Sequence, residues 1–266
     1  MGGAKIVTIG LAWVGSRPDG REYLWMASDS RTRGGFVLDC SPKLMPLVRS
    51  DSAICFAGDT AAAYPLMMQL STAVAAHQPA RDRSLDITRL KGHLLRVFTD
   101  TVDSITDAAE PFVPADAQFL FGGYSWFKRE FQLWTIHYDA HQERFLARPA
   151  PLMQGRVRAA FIGDHAKYAR ARLNELLYRD KPEHVYLEPF GALVEMLKEA
   201  EAEDSIGGPP QLLRISAHMT TRPLYVRWGP KISLFGRELF DYENTDYWGI
   251  DAESLESLPP RKFGAR

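Results

Sequence analysis

The chain has few cysteines and no long apolar run, and each lack excludes a class of protein. Its 266 residues include only two cysteines, Cys40 and Cys55, too few for the disulfide framework of a small secreted domain. The two can pair with each other or stay as buried thiols in a reducing cytosol. No apolar run is long enough to span a bilayer, and the start, Met1–Ile6, lacks the features of a signal peptide. We therefore expect a cytoplasmic protein with no membrane contact.

The chain also lacks an excess of either charge and the common cofactor motifs. Its formal net charge is −1, so no basic field indicates a nucleic-acid partner. It has no P-loop, no dinucleotide fingerprint, no His-Glu-x-x-His and no Gly-x-Ser-x-Gly. His137, Asp139 and His141 alternate around a turn and can in principle ligate a metal, but a polar hairpin tip is the better interpretation. We expect no cofactor and no metal.

Hydrophobic periodicity predicts strands and helices in alternating groups. The first sixty residues are typical of a β-meander. Strands are predicted at 5–15, 22–29, 35–39, 43–49, 52–57, 117–123, 130–137, 143–148, 157–162, 211–217 and 223–228. Helices are predicted from Asp59 or Thr60, from Ser84 or Asp86, and over 164–178 and 190–202.

The helices come in pairs between groups of strands, which argues against a doubly wound parallel sheet. The order fits an α+β fold in which two antiparallel sheets pack together with a helix pair on each outer face. The prediction is therefore a four-layer αββα sandwich. One domain is expected over 1–235, followed by a loop-rich C-terminal extension over 236–266.

An acid, a base and a glycine turn follow one another near the N-terminus. Asp29, Lys43 and Gly58 lie on three successive short apolar segments. A carboxylate and a lysine brought together can form a buried pair that tunes a nucleophile. Taken singly, Asp29 can be an ion-pair partner of Arg31, and Gly58 a strand-to-helix turn.

In this order the motifs resemble those of the proteasome β-subunit family and its smaller bacterial relatives, which are N-terminal-nucleophile hydrolases. The resemblance covers roughly residues 5–228. The segments that carry it are Met26–Thr32, Lys43, Ala57–Gly58, Phe121–Tyr124, Phe161–Asp164 and Asp204–Gly208.

The resemblance implies the four-layer sandwich and a threonine nucleophile whose free α-amino group acts as general base. It assigns nucleophile to Thr8, tuning to Asp29 and Lys43, support of Asp29 to Arg31, and an oxyanion-binding N–H to Gly58. It assigns supporting roles to Asp204, Ser205 and Gly207. It also implies a homo-oligomeric ring or stack and a peptide or protein substrate. Because the chain has no ATPase motif, energy-dependent unfolding would need a separate ATPase.

The sequence leaves open which residue is the nucleophile. One register places Ile6 at the nucleophile position, whereas the register that starts the strand at Thr8 requires removal of Met1–Val7. Self-cleaving relatives usually have glycine where this chain has Val7. Three interpretations follow: a threonine-type peptidase after trimming, an inactive scaffold or assembly subunit, or an enzyme that uses another nucleophile. Candidates for the last are Ser28, Thr32 and Cys40. Hydrolysis of small-molecule amides is a further class, since several acylases share the family fold.

Overall fold

The computed structural model describes residues 8–17, 19–33, 36–105, 116–180 and 182–262. Strands predominate in this part of the chain. They are β1 (Ile9–Ser16), β2 (Glu22–Ser28), β3 (Thr32–Arg33), β4 (Val37–Leu38), β5 (Leu44–Pro46), β6 (Ser52–Gly58), β7 (Ala117–Ser125), β8 (Glu130–Asp139), β9 (Arg144–Pro149), β10 (Leu152–Met153), β11 (Val157–Gly163), β12 (Gln211–Ser216), β13 (Thr221–Trp228), β14 (Lys231–Leu234), β15 (Arg237–Glu238), β16 (Gly249–Asp251) and β17 (Ser257–Leu258). The helices are α1 (Thr60–Ala76), α2 (Gln78–Arg81), α3 (Ile87–Asp103), α4 (Ala166–Asp180) and α5 (Glu188–Glu199).

The described strands form three sheets. The 10-stranded sheet runs β10-β11-β1-β2-β12-β13-β14-β15, with β16 pairing β13 and β17 pairing β16. A 5-stranded sheet runs β5-β6-β7-β8-β9, and β3 and β4 form a separate 2-stranded sheet. The pairings are antiparallel except β13 with β16. The predicted four-layer αββα sandwich is therefore wrong as a fold class, because the described residues form a β-rich fold of three mostly antiparallel sheets with five short helices.

The predicted β-meander of the first sixty residues is also wrong. β1 and β2 belong to the 10-stranded sheet, β3 and β4 form their own ribbon, and β5 and β6 belong to the 5-stranded sheet. The reason is that β12, from far along the chain, occupies the free edge of β2, with Gln211 opposite Ser28. A strand has only two edges, so β3 cannot pair there.

Three hydrophobic clusters hold the described elements together. The first packs one face of the 10-stranded sheet against α4 and α5, with Trp13, Leu173 and Phe190 fully buried. The second packs the 5-stranded sheet against α1 and α3 around Phe98. The third lies between the two large sheets, where Leu24 meets Leu120 and residues of β12. Alternate residues of a strand point to opposite faces, so a strand such as β1 contributes to two clusters.

Acidic N-caps begin α1 and α3, as predicted. The carboxylate of Asp59 accepts from the backbone N–H of Ala61 at 3.0 Å, and that of Asp86 accepts from Thr88 at 3.0 Å. The buried residues of α3 are Ile87, Leu90, Leu94 and Phe98, which lie on one face of the helix.

The tail contains short strands that the sequence pattern did not predict. β15, β16 and β17 all lie within 236–262. β16 adds to the 10-stranded sheet in parallel with β13, Gly249 standing opposite Tyr225. The division of the chain at residue 235 stays a prediction. None of the described helices is both long and apolar enough to cross a bilayer.

Candidate functional site

Three strand ends bring Thr8, Asp29 and Lys43 together. Antiparallel pairing of β1 and β2, with Gly10 opposite Ser28, sets the start of β1 beside the end of β2. Lys43 immediately precedes β5 of the 5-stranded sheet. Its ammonium donates to the hydroxyl Oγ1 of Thr8 at 2.6 Å and to Oδ1 of Asp29 at 2.7 Å. All three residues are 0% exposed, so the hydroxyl, the ammonium and the carboxylate form one buried cluster.

Donors surround the Asp29 carboxylate on both oxygens. Oδ1 accepts from the backbone N–H of Ile9 at 3.2 Å as well as from Lys43. Oδ2 accepts from the backbone N–H of Arg31 at 3.0 Å and of Gly207 at 3.2 Å. An ionised carboxylate only accepts hydrogen bonds, and it can take about four of them. The site therefore supplies the four hydrogen-bond donors that a buried carboxylate can use.

Burial lowers the pKa of Lys43, and the neighbouring Asp29 opposes that shift. Desolvation penalises the charged ammonium, whereas the carboxylate stabilises it. The net direction is downward, so the Lys43 proton is held less tightly than in water. Such a lysine can donate to a hydroxyl oxygen and can exchange a proton with it.

Gln211 fixes the segments that carry this cluster, a role that the motifs of the sequence did not predict. Its side-chain oxygen accepts from the backbone N–H of Lys43 at 3.0 Å. Its amide nitrogen donates to Ser41 O at 2.6 Å, Ser30 Oγ at 3.0 Å and Asp29 O at 3.1 Å. The residue is 0% exposed. The available signal was a glutamine at the head of an apolar strand, because buried amides need partners.

Arg31 supports Asp29 through its backbone and not through its side chain. Its guanidinium forms a two-pronged pair with Asp39 at 2.7 and 2.9 Å, which raises the pKa of Arg31. It also donates to carbonyl oxygens within 201–204. The ion pair of Arg31 with Asp29 that the sequence suggested is therefore not formed.

The loop before β12 contains the three predicted supporting residues, one of which contacts Asp29. Gly207 donates to Asp29 as described above. The Asp204 carboxylate accepts from the backbone N–H of Glu201 at 2.7 Å and so stabilises its own turn. Ser205 Oγ lies 2.9 Å from Nε2 of His165. Of the predicted supporting residues, Gly207 alone among these three touches the Asp29 carboxylate.

Gly58 and Gly163 allow close backbone approach beside Thr8. Gly58 has φ +109°, and a Cβ there would lie 1.8 Å from the carbonyl oxygen of Asp116. A Cβ on Gly163 would lie 2.0 Å from the carbonyl oxygen of Thr8 and 3.2 Å from Ala57 Cβ. The end of β6 therefore lies next to Thr8 through Ala57. The oxyanion-binding role of the Gly58 N–H stays a prediction.

The other candidate nucleophiles have different surroundings. Ser28 Oγ donates to the carbonyl of Ile9 at 2.8 Å, and Thr32 Oγ1 lies 2.6 Å from Ser41 Oγ. Cys40 is a free, exposed thiol. In the part of the chain that the structure describes, none of these three side chains hydrogen-bonds to Lys43.

At the β8–β9 turn, the Asp139 carboxylate is used in local hydrogen bonds. Oδ1 of Asp139 accepts from the backbone N–H groups of His141 and Gln142, each at 3.0 Å. Within residues 8–17, 19–33, 36–105, 116–180 and 182–262, no group of three or more His, Cys, Asp or Glu could hold a metal ion.

No family model matches the chain, and no curated protein matches it. The resemblance to proteasome β-subunits therefore depends on the sequence motifs alone. What the geometry adds is the class of site: a buried threonine, lysine and aspartate in one hydrogen-bonded chain.

Proposed function

We propose that the chain is a threonine-type amide hydrolase of the N-terminal-nucleophile kind, similar to proteasome β-subunits, with Thr8 Oγ1 as nucleophile. One observation carries the proposal. The Lys43 ammonium lies between the Thr8 hydroxyl, at 2.6 Å, and the Asp29 carboxylate, at 2.7 Å. An ion pair needs no hydroxyl as a third member, whereas an activated nucleophile needs a basic group in contact and a second group that orients it.

Activation begins with cleavage of the peptide bond between Val7 and Thr8. Thr8 Oγ1 attacks the carbonyl carbon of Val7, the C–N bond breaks, and the hydroxyl proton goes to the departing α-nitrogen. Water then hydrolyses the ester, which releases the Met1–Val7 acid and leaves Thr8 with a free hydroxyl and a free amine. A free α-amine has a pKa near ~8, so it can act as a base at cellular pH.

In the mature site each group has a separate task. The α-amine of Thr8 takes the hydroxyl proton as Oγ1 attacks the substrate carbonyl. Lys43 donates a hydrogen bond to Oγ1, and its lowered pKa makes that proton available to the reacting oxygen. Asp29 holds the lysine in place. The backbone N–H of Gly58 is the proposed donor to the oxyanion.

The burial of Thr8 supports the need for cleavage. The residue is 0% exposed in the full chain, so an external amide cannot reach Oγ1 there. Removal of the preceding segment is the proposed step that opens the site.

The same burial favours a second candidate, an inactive scaffold or assembly subunit. A chain that is never cut keeps Thr8 inaccessible and retains the Lys43–Asp29 pair as a structural element. Val7, in place of the glycine usual in self-cleaving relatives, fits this candidate as well.

Intact-mass and N-terminal analysis of the natively produced protein separates the two candidates. The hydrolase predicts a chain beginning at Thr8 that is labelled once by a threonine-reactive electrophile. Thr8→Ala should abolish cleavage and labelling, whereas Thr72→Ala, an exposed threonine on α1, should change neither. An intact Met1 with no labelling would rule out the hydrolase and favour the scaffold.

Assembly, substrate and compartment complete the proposal. A homo-oligomeric ring or stack is proposed from the resemblance to proteasome β-subunits. Sedimentation velocity tests this point, and a monomer at micromolar concentration would contradict it.

Peptide or protein substrates are proposed, with a separate ATPase if they must be unfolded. A cytoplasmic location is supported by Cys40 and Cys55 being free thiols.

A further inference from the structure

A cavity of about 350 Å³ opens between the two large sheets, and neither Thr8, Asp29 nor Lys43 is among its lining residues. It exists because β10 is short. β10 pairs with β11 only at Val157 and Arg158, so among the described residues the rest of that edge has no neighbouring strand. Ala160 and Ile162 form one wall, and β8 with β9 forms the other. The volume lies within the range of small-molecule sites, about 300–1,000 Å³.

The lining carries positive charge and no acid. Arg148 and Arg170 both line the cavity, and no aspartate or glutamate does. Neither guanidinium forms an ion pair within the described residues, although Arg170 lies 5.9 Å from the ring centroid of Phe161. Other arginines of the same chain, such as Arg172, are paired with carboxylates. Two guanidinium groups that face a cavity and have no carboxylate partner are suited to an anionic ligand.

His137 adds a polar group that lacks a protein partner. Thr135 and His137 are two residues apart on β8, so they share a face, and Arg148 stands opposite Thr135 in the register. Nε2 of His137 is buried and has no hydrogen-bond partner among the described residues. Burial, together with Arg148, lowers the pKa of His137, so its ring is neutral at pH 7 and can donate from one nitrogen. Unsatisfied buried polar atoms are uncommon and indicate a missing partner.

We propose that this cavity binds a small oxyanion, a carboxylate or a phosphate, through Arg148 and Arg170, with the unpartnered Nε2 of His137 donating a third hydrogen bond. The site goes beyond the proposed hydrolase function. None of Thr8, Asp29 and Lys43 lines it. One link between the two is Gln118, which lines the cavity and whose side-chain oxygen accepts from the backbone N–H of Gly163 at 3.2 Å.

Isothermal titration of the full chain with inorganic phosphate, and separately with citrate, tests the proposal at constant ionic strength. At least one anion should bind with a Kd below about 1 mM, and the stronger of the two identifies the ligand class. The double variant Arg148→Gln/Arg170→Gln should bind at least about tenfold more weakly, which corresponds to about 1.4 kcal/mol. His137→Leu should also weaken binding.

Arg96→Gln is the matched control, because Arg96 is exposed on α3 and does not line the cavity. It should leave the Kd unchanged. Urea unfolding of each variant confirms that the fold is retained, and the surface location of both arginines makes that the expected result. Failure of both anions to bind with a Kd below about 1 mM, or equal affinity in the double variant and the control, would overturn the proposal. Neither result depends on whether Thr8 is an active nucleophile.

Discussion

The buried pair of Lys43 and Asp29 gives the sharpest test of the structure. Two single variants, Lys43→Met and Asp29→Asn, remove one charge each while keeping side-chain size nearly constant. The double variant removes both. If the pair is buried as described, each single change leaves one buried charge without its ion-pair partner, whereas the double change leaves no unpaired charge.

The contacts allow the magnitudes to be worked out. Removing one member of a buried pair costs about 3–5 kcal/mol of unfolding free energy. Asp29→Asn should be at the upper end, because its amide nitrogen would face backbone N–H groups where the carboxylate now accepts from Arg31 and Gly207. Lys43→Met should be at the lower end, about 3 kcal/mol, because three backbone donors still hold Asp29. The double variant should lose at least about 2 kcal/mol less than the sum of the two.

Urea unfolding followed by tryptophan fluorescence measures these free energies, since Trp13 and Trp25 lie in the adjacent core. Single-variant losses below about 1 kcal/mol, typical of exposed ion pairs, would refute the buried pair. So would simple additivity of the two changes. Arg172→Met is a suitable comparison, because its partners Glu195 and Glu199 are mostly exposed and its loss should stay small.

Three further predictions concern pH, thiols and backbone. The pKa of Lys43 is lowered from 10.5, so the unfolded chain binds more protons between the folded pKa and 10.5. In wild type, measured against Lys43→Met, the unfolding free energy should therefore rise with pH through that interval by at most about 1.4 kcal/mol per unit; a falling difference would contradict the shift. Burial raises the pKa of Cys55 to about 12 whereas Cys40 is exposed, so a thiol reagent should modify only Cys40 in the native protein and both cysteines in denaturant. Two fast-reacting native thiols would disprove this. Gly58→Ala should lower the unfolding free energy by about 2–6 kcal/mol, because it adds backbone strain and a clash with the backbone. Gly155→Ala, also at positive φ but with open space around it, should lower it by about 1–3 kcal/mol. Equal losses of unfolding free energy in urea would contradict the packing around Gly58.

Local pattern predicted most element types but not their partners. The strands near β6 and β7 and the caps of α1 and α3 follow from alternation and capping, which act over a few residues. The assignment of β5 and β6 to a different sheet from β2 does not, since it depends on β12 filling an edge from far along the chain. The pairs of helices suggested a sandwich, but the dominance of strands in three sheets makes the fold β-rich.

The residues of the candidate site also fall into those that the sequence could indicate and those that it could not. Asp29 and Lys43 could be selected from their residue types and their order, and the structure brings them to Thr8. Gln211 could not be selected with confidence, because its four contacts join segments far apart in the chain. Arg31 supports Asp29 through its backbone N–H and not through an ion pair, since Asp39 takes its guanidinium across the short β3–β4 ribbon.

Local sequence is enough to predict which short segments extend, where the helices begin, and that an acid, a base and a glycine turn follow one another near the N-terminus. These are local properties, set by side-chain alternation, capping and backbone freedom. Long-range packing sets which strands share a sheet, which carbonyl oxygens bind Arg31, and that the hydroxyl in contact with Lys43 belongs to Thr8. Those outcomes depend on which strand edges and buried polar groups still need partners once distant parts of the chain have packed together.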